Sequence, residues 1–78
     1  MAKVRFFAQA KDAAGCGGAT VEGDTVGAVL QAAVQQFGPH LAQVIEISAI
    51  WLNGEFARLG DPVGEADEVA VLPPVSGG

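Results

Sequence analysis

The chain has few of the residues on which several classes of protein depend. Four Lys and Arg residues stand against nine Asp and Glu, and the net charge of −5 argues against nucleic acid as a partner. The single cysteine, Cys16, cannot form an internal disulfide, which fits a reducing compartment. No apolar run approaches the roughly 20 residues of a membrane span, and the N-terminus opens a strand rather than a signal peptide. We therefore expect a soluble, cytoplasmic protein with no membrane partner.

The length of the chain also limits what it can do. Its 78 residues, half of them hydrophobic, predict one domain with a real core. A chain this short buries only about 60–65% of the surface that its unfolded form exposes, so a core and a large active-site cavity do not both fit. We expect a carrier or binding module that is not an enzyme by itself and binds no cofactor or metal. His40 has no partner in sequence, and the spacing of the acidic residues between 61 and 68 predicts a solvated turn.

The first part of the chain predicts a β-hairpin. Residues 3–8 form a strand with Val4, Phe6 and Ala8 on one face. Residues 9–18 form a loop that ends in four residues rich in glycine, with Cys16 as a passive member, and residues 19–22 form the return strand.

One helix is clearly predicted after this hairpin. Thr25, or Asp24 before it, is a suitable N-cap, and Gly38 followed by Pro39 ends the helix. Between them the apolar residues fall at helical spacing, at Val26, Val29, Leu30, Ala33, Val34 and Phe37. Residues 40–47 are ambiguous and are compatible with a short helical turn that packs Leu41, Val44 and Ile45.

The second half of the chain predicts three further strands. Residues 48–52 and 55–59 flank Asn53 and Gly54, the residues preferred in a two-residue type I′ hairpin turn. The second of these strands would place Phe56 and Arg58 on one face, and Trp51 is predicted to lie in the core or at its edge. Residues 67–72 alternate, with Val69 and Val71 on the same face.

The last strand is followed by a segment with too little apolar surface to bury. Pro73 and Pro74 end the strand because neither has a backbone N–H. We predict a globular domain over residues 1–72 and an extended, mobile arm over residues 73–78. Five residues, 74–78, reach roughly 17 Å when extended. With no side chain at Gly77 and Gly78, the tip fits a narrow channel and delivers one reactive group, the C-terminal carboxylate.

This order of elements predicts an α+β fold of the β-grasp, or ubiquitin-like, type. The sheet is mixed, with four to five strands, one main helix packs on one face, and a flexible Gly-Gly tail follows. The opening Lys3-Val4-Arg5-Phe6-Phe7-Ala8 and the ending Pro73-Pro74-Val75-Ser76-Gly77-Gly78 resemble those of the small subunit of molybdopterin synthase (MoaD), in the MoaD/ThiS family of ubiquitin-like sulfur carriers.

The resemblance implies a chemistry at the C-terminus. An E1-like adenylating enzyme (MoeB-like) would use ATP to adenylate Gly78, which would then become a thiocarboxylate. Gly77 and Gly78 would next enter the large molybdopterin synthase subunit (MoaE-like). There the sulfur would pass to a cyclic pyranopterin monophosphate and build the dithiolene of the molybdenum cofactor.

By analogy with ubiquitin-like carriers, the partner surface is the sheet face away from the helix. The residues assigned to it, together with Arg5, are Phe7, Lys11, Phe56, Arg58, Leu72, Pro73, Pro74, Val75 and Ser76. For Phe7, Phe56 and Leu72 the alternative is a place in the core. Lys11 departs from the Arg that family members often have, which would weaken a bidentate contact to a carboxylate.

Other functions stay open at this point. The same terminal chemistry serves related carriers for thiazole synthesis, cysteine synthesis or tRNA thiolation. A ubiquitin-like modifier that ends on a lysine of another protein, or a plain interaction domain, is the alternative from a different class.

Overall fold

The first and last strands form the parallel centre of one mixed sheet. The computed structural model describes residues 1–74, in which five strands occur in the order β2-β1-β5-β3-β4. Their bounds are β1 Ala2–Phe6, β2 Gly18–Val21, β3 Ala49–Leu52, β4 Glu55–Phe56 and β5 Glu68–Leu72. The pairing of β1 with β5 confirms that the first and last strands are central neighbours.

Alternation along the two central strands sends one set of side chains into the core. Val4 lies opposite Val69, and Phe6 lies opposite Val71. All four side chains are buried, while the residues between them point to the other face of the sheet. The bounds of two strands also agree with the prediction. Strands β2 and β5 were predicted at residues 19–22 and 67–72, and each begins and ends within one residue of those limits.

In the described part of the chain three helices cover the core face, and the longest of them is α2 (Val26–Phe37). Thr25 caps it, because its Oγ1 accepts the backbone N–H of Ala28 at 3.1 Å. Val26, Val29, Leu30 and Ala33 of the predicted apolar stripe are buried, whereas Val34 is half-buried. The Phe37 ring meets Phe6 edge to face with centroids 5.4 Å apart. The prediction of this helix is confirmed, with Thr25 and not Asp24 as the N-cap.

A second helix, α3 (Pro39–Glu46), follows at once. Gly38 ends α2 with a positive φ of 105°, and Pro39 begins α3 at a position where its missing N–H costs nothing. Leu41 and Val44 are buried. The ambiguous residues 40–47 thus form two turns of helix rather than one.

The loop predicted over residues 9–18 is wrong in its first half. Residues Gln9–Ala14 form a short helix, α1, that buries Ala10. Six residues are too few to show a periodic stripe, and packing against the core stabilises what the isolated segment would not. Ala8, expected on the core face of the first strand, is instead exposed at the start of α1 with a φ of 50°.

The β3–β4 hairpin turns at Asn53 and Gly54, both with positive φ, as predicted. Its second strand is shorter than the predicted 55–59, because β4 ends at Phe56. The next residues turn toward α2: Arg58 N–H donates to Asp61 Oδ2 at 2.8 Å, and the Leu59 carbonyl accepts Gly27 N–H at 2.8 Å. One more bond to β3, from Ala57 N–H to the Ile50 carbonyl at 3.0 Å, precedes this turn.

Candidate partner-docking site

The chain leaves the sheet beside the end of β1. Phe7 N–H donates to the Val71 carbonyl at 3.2 Å, which holds the residue after β1 against the end of β5. Pro73 is buried and Pro74 is exposed, so the described part of the chain reaches the surface at Pro74. The end of β5 therefore brings Pro74 to one rim of the sheet.

The sheet face away from the helices carries the candidate site. It is called the open face here and is defined by Lys3, Arg5, Phe7, Ala49, Trp51, Phe56, Glu68, Ala70 and Leu72. The register sets Arg5, Ala70, Trp51 and Phe56 in one row across four strands. Side chains in such a row are neighbours, so the face is continuous from β1 to β4.

Two aromatic residues form the outer end of this row. The rings of Trp51 and Phe56 have centroids 4.9 Å apart, and Phe56 is 77% exposed. Trp51 is half-buried on the open face, and the core behind β3 is filled by Ile50 and Leu52. Of the two places predicted for Trp51, the core or its edge, the core is therefore wrong. The sequence contained a signal for the position of Trp51. A two-residue hairpin turn at residues 53 and 54 pairs Trp51 with Phe56 and so puts both side chains on one face of the sheet.

Phe7 and Leu72 occupy the rim of the open face at the root of the tail. The Arg5 guanidinium lies 5.3 Å from the centroid of the Phe7 ring, within cation–π range. Phe7 is 37% exposed, and Leu72 is half-buried opposite Ala49. Both are thus accessible in part, as a docking residue must be.

The open face also carries charges of both signs. Arg5 Nη1 lies 3.9 Å from Glu68 Oε1, and both side chains are about half exposed, so the pair stabilises the fold little. Lys3 lies beside Glu68 in the register of β1 and β5. These side chains are free to exchange partners at an interface.

Two of the proposed contact residues lie away from this row. Lys11 is exposed on α1, with Gly17 beside its side chain. Arg58 is exposed in the turn after β4, so the prediction that it shares a strand face with Phe56 is wrong. Val75, Ser76, Gly77 and Gly78 lie outside the described residues, and their roles stay predictions.

The opposite end of β5 is held by a polar cluster. Asn53 Nδ2 donates to Asp67 Oδ1 at 2.9 Å, and Asn53 Oδ1 accepts Glu68 N–H at 2.9 Å. Asp67 Oδ2 accepts Gly64 N–H at 2.8 Å. This backbone bond, and then the Asn53 amide, lower the pKa of the Asp67 carboxyl below its ordinary value of 3.8. The cluster ties the hairpin turn to the start of β5.

Cysteine and the other possible metal ligands complete the description of polar groups in residues 1–74. Cys16 is half-buried and its thiol donates to the Gly18 carbonyl at 3.4 Å. Within residues 1–74, no three His, Cys, Asp or Glu side chains lie close enough together to hold a metal ion. None of the helices in this part of the chain is long and apolar enough to cross a membrane.

Solved structures of other proteins resemble this chain in both sequence and fold. The crystal structure of the small archaeal modifier protein 1 from Haloferax volcanii is 36% identical, with 97% of each chain covered and a TM-score of 0.81. The solution structure of the small archaeal modifier protein 1 from Methanosarcina acetivorans is 30% identical, over 99% of this chain and 95% of that one, with a TM-score of 0.86.

A structure from a third organism links the fold to a complex. It is the protein–protein complex of subunits 1 and 2 of the molybdopterin-converting factor from Helicobacter pylori 26695. The matched chain is 28% identical, with 99% of this chain and 97% of that one covered and a TM-score of 0.72.

A family model fits nearly the whole sequence. The model of the ThiS family matches residues 4–78, which include both the β-grasp body and the terminal Gly-Gly. Members of this family are small ubiquitin-like sulfur carriers that are not catalytic by themselves. The chain belongs to the ThiS family of ubiquitin-like sulfur carriers.

Proposed function

We propose that this chain is the sulfur-carrier subunit of a molybdopterin synthase and works in the cytoplasm. The observation that carries the proposal is the place where β5 ends. This central strand finishes at the rim of the open face, with Phe7 N–H bonded to Val71, and the Gly-Gly terminus follows six residues after Leu72. The complex of the Helicobacter pylori homologue with a second subunit supports the choice of partner.

The chemistry begins at the carboxylate of Gly78. A terminal carboxylate is ionised at neutral pH and is a poor electrophile, so a partner must activate it. Attack of a carboxylate oxygen on the α-phosphorus of ATP gives an acyl adenylate and releases pyrophosphate. The terminal sulfur of a persulfide on the donor then attacks the acyl carbon, and AMP leaves. A thiol next attacks the donor sulfur of the resulting acyl disulfide, so that a new disulfide forms, the old S–S bond breaks and the Gly78 thiocarboxylate is released. This sulfur is the atom donated to the pterin when the dithiolene forms.

The body of the protein supplies docking rather than catalysis. Trp51 and Phe56 present a large aromatic surface on the open face, and Leu72 lies near the root of the tail. Aromatic anchors surrounded by charge are typical of specific interfaces. The open face would bind the E1-like adenylating enzyme and the large synthase subunit in turn, while the terminus enters each active site.

The mass of the intact protein tests the proposal. In cells supplied with sulfur, we expect a species heavier by the difference between sulfur and oxygen, located at Gly78 by fragmentation. Deletion of Gly78, or addition of one residue after it, should abolish molybdopterin formation with a purified large subunit and leave the melting temperature unchanged. A deletion variant with full activity would contradict the proposal.

A second candidate function is protein modification. It is favoured by the 36% and 30% identity to two proteins named small archaeal modifier proteins. Here the activated Gly78 acyl group would be attacked by a lysine amine of another protein, with loss of AMP, and form an isopeptide bond. Proteomics of the native host should then find lysines that carry the C-terminal peptide of this chain, and no thiocarboxylate would need to accumulate. Trypsin would leave residues 59–78 on the lysine, because Arg58 is the last basic residue of the sequence.

A further inference from the structure

The helix layer has a groove of its own on the side away from the open face. It is called the helix groove here and has a volume of about 690 Å³. The residues that line it are Gly27, Leu30, Gln31, Val34, Gln35, Ala42, Ile45, Glu46 and Leu59. We propose that this helix groove is a second docking site, which binds an amphipathic helix of a partner protein that carries a lysine or arginine opposite Glu46.

The wall of the groove that α2 forms lacks the charged side chains of an ordinary solvated helix. The sequence of α2 contains no charged residue, and its exposed polar side chains are Gln31, Gln35 and Gln36. Exposed helices of soluble proteins normally carry charged side chains on the solvent face. Depletion of charge together with apolar lining residues is what the centre of a protein interface shows.

One apolar side chain is held out at the rim of the groove. Leu59 is 64% exposed, yet its backbone is fixed because its carbonyl accepts Gly27 N–H at 2.8 Å. A β-carbon at Gly27 would lie 3.2 Å from that carbonyl oxygen, a tight contact, so glycine eases the close approach of the loop to α2. An apolar side chain held on a rigid backbone loses little entropy on binding and suits an anchor position.

The charge of the groove selects its occupant. Among the described residues that line the groove, Glu46 at the end of α3 is the one that carries a formal charge. A second copy of this chain would bring another Glu46 to the same groove, which like-charge repulsion opposes. A helix with apolar residues at every third or fourth position and one cation on their flank complements both the apolar lining and the carboxylate.

The two docking surfaces lie on opposite sides of the domain. The open face and the tail serve the enzymes that load and discharge Gly78, whereas the helix groove faces away from them. Because the surfaces share no residue, both can be occupied at once. A partner in the helix groove would keep the carrier near its enzymes while the terminus moves between active sites.

Binding of a synthetic amphipathic helical peptide tests the inference. The probe carries a leucine stripe at helical spacing and one flanking lysine, and its matched form has glutamate in place of the lysine. With the full-length chain, we expect saturable NMR shifts of α2, α3 and Leu59 amides. Leu59→Ser should weaken binding about tenfold, as the loss of an interface anchor does. Glu46→Lys should weaken the lysine peptide about two- to five-fold, the effect of an exposed ion pair, and favour the glutamate peptide.

Control variants separate this inference from its alternatives. Glu65→Lys makes the same charge change at an exposed site outside the groove and should leave both peptides unaffected. Deletion of Gly78 should not alter peptide binding, so failure of the proposed sulfur chemistry leaves the groove proposal standing. Shifts centred on the open face, equal binding of both peptides, no saturable shift, or concentration-dependent shifts of the groove without peptide would each overturn it.

Discussion

Trp51 and Phe56 face each other across the β3–β4 pair, with ring centroids 4.9 Å apart and ring planes inclined by 46°. The pair lies on the open face, where the half-buried indole supports the more exposed phenyl ring. This contact makes the far end of the sheet an aromatic surface of fixed shape.

Removal of the Phe56 ring should weaken partner binding more than it weakens the fold. Because Phe56 is mostly exposed but packs on Trp51, we expect Phe56→Ala to lower the free energy of unfolding by about 0.5–1 kcal/mol. Affinity for the large synthase subunit, measured by calorimetry, should fall about tenfold or more. Leu59→Ala, which removes an exposed side chain of the helix groove, is the matched control and should keep that affinity. Equal losses in both variants would contradict an open-face interface.

Acid should remove the contribution of Asp67 to stability. Its folded-state pKa is lowered by Gly64 N–H and Asn53, so the stabilisation is present above the unfolded value near 3.8 and is lost as the pH falls through the folded pKa. Urea unfolding midpoints measured between about pH 5 and pH 2 should fall more steeply for the wild type than for Asp67→Asn. Glu65→Gln should keep the wild-type slope, and a wild-type slope in Asp67→Asn would refute the assignment.

Loss of the helix cap should destabilise the domain measurably. In Thr25→Ala the Ala28 N–H loses its acceptor, and we expect a cost of about 1 kcal/mol in the free energy of unfolding. Thr25→Ser keeps the oxygen and should recover most of that loss. Thr20→Ala, at an exposed position of β2, controls for the loss of a threonine elsewhere. Denaturant unfolding of the three variants distinguishes a capping effect from a packing effect.

Substitution by alanine should destabilise the protein at Gly23 but not at Gly60. Gly23 has a φ of 155°, and a β-carbon there would lie 2.7 Å from the backbone nitrogen of Val29. Gly23→Ala should therefore cost roughly 1–3 kcal/mol in strain. At Gly60 a β-carbon meets nothing within 4 Å, so Gly60→Ala should leave the thermal midpoint near that of the wild type. A tolerated Gly23→Ala would show that the start of α2 can move.

Elements with strong local patterns were predictable from the sequence. The apolar stripe of α2, the cap at Thr25 and the turn at Asn53 and Gly54 are set by neighbours within a few residues, and each occurs as expected. The alternation in β5 placed Val69 and Val71 in the core for the same reason.

Elements that depend on distant contacts were not predictable. The helix α1 forms because Ala10 is buried against the core, and no local pattern marks it. After β4 the chain turns to the N-terminus of α2, where the Leu59 carbonyl accepts Gly27 N–H, a contact across 32 positions of the chain, from 27 to 59. Trp51 reached the open face because the pairing register, and not its hydrophobicity, assigns its side.

The sequence by itself determined the β-grasp plan and the family, because these depend on short-range periodicity and on a terminal motif. Only the tertiary structure decided which side chains share a surface. Strand order and register bring Arg5, Trp51 and Phe56 into one row, and helix packing encloses the groove beside Leu59. Residues far apart in the chain become neighbours through the packing of the whole core, and the pattern of residues within one segment does not predict that packing.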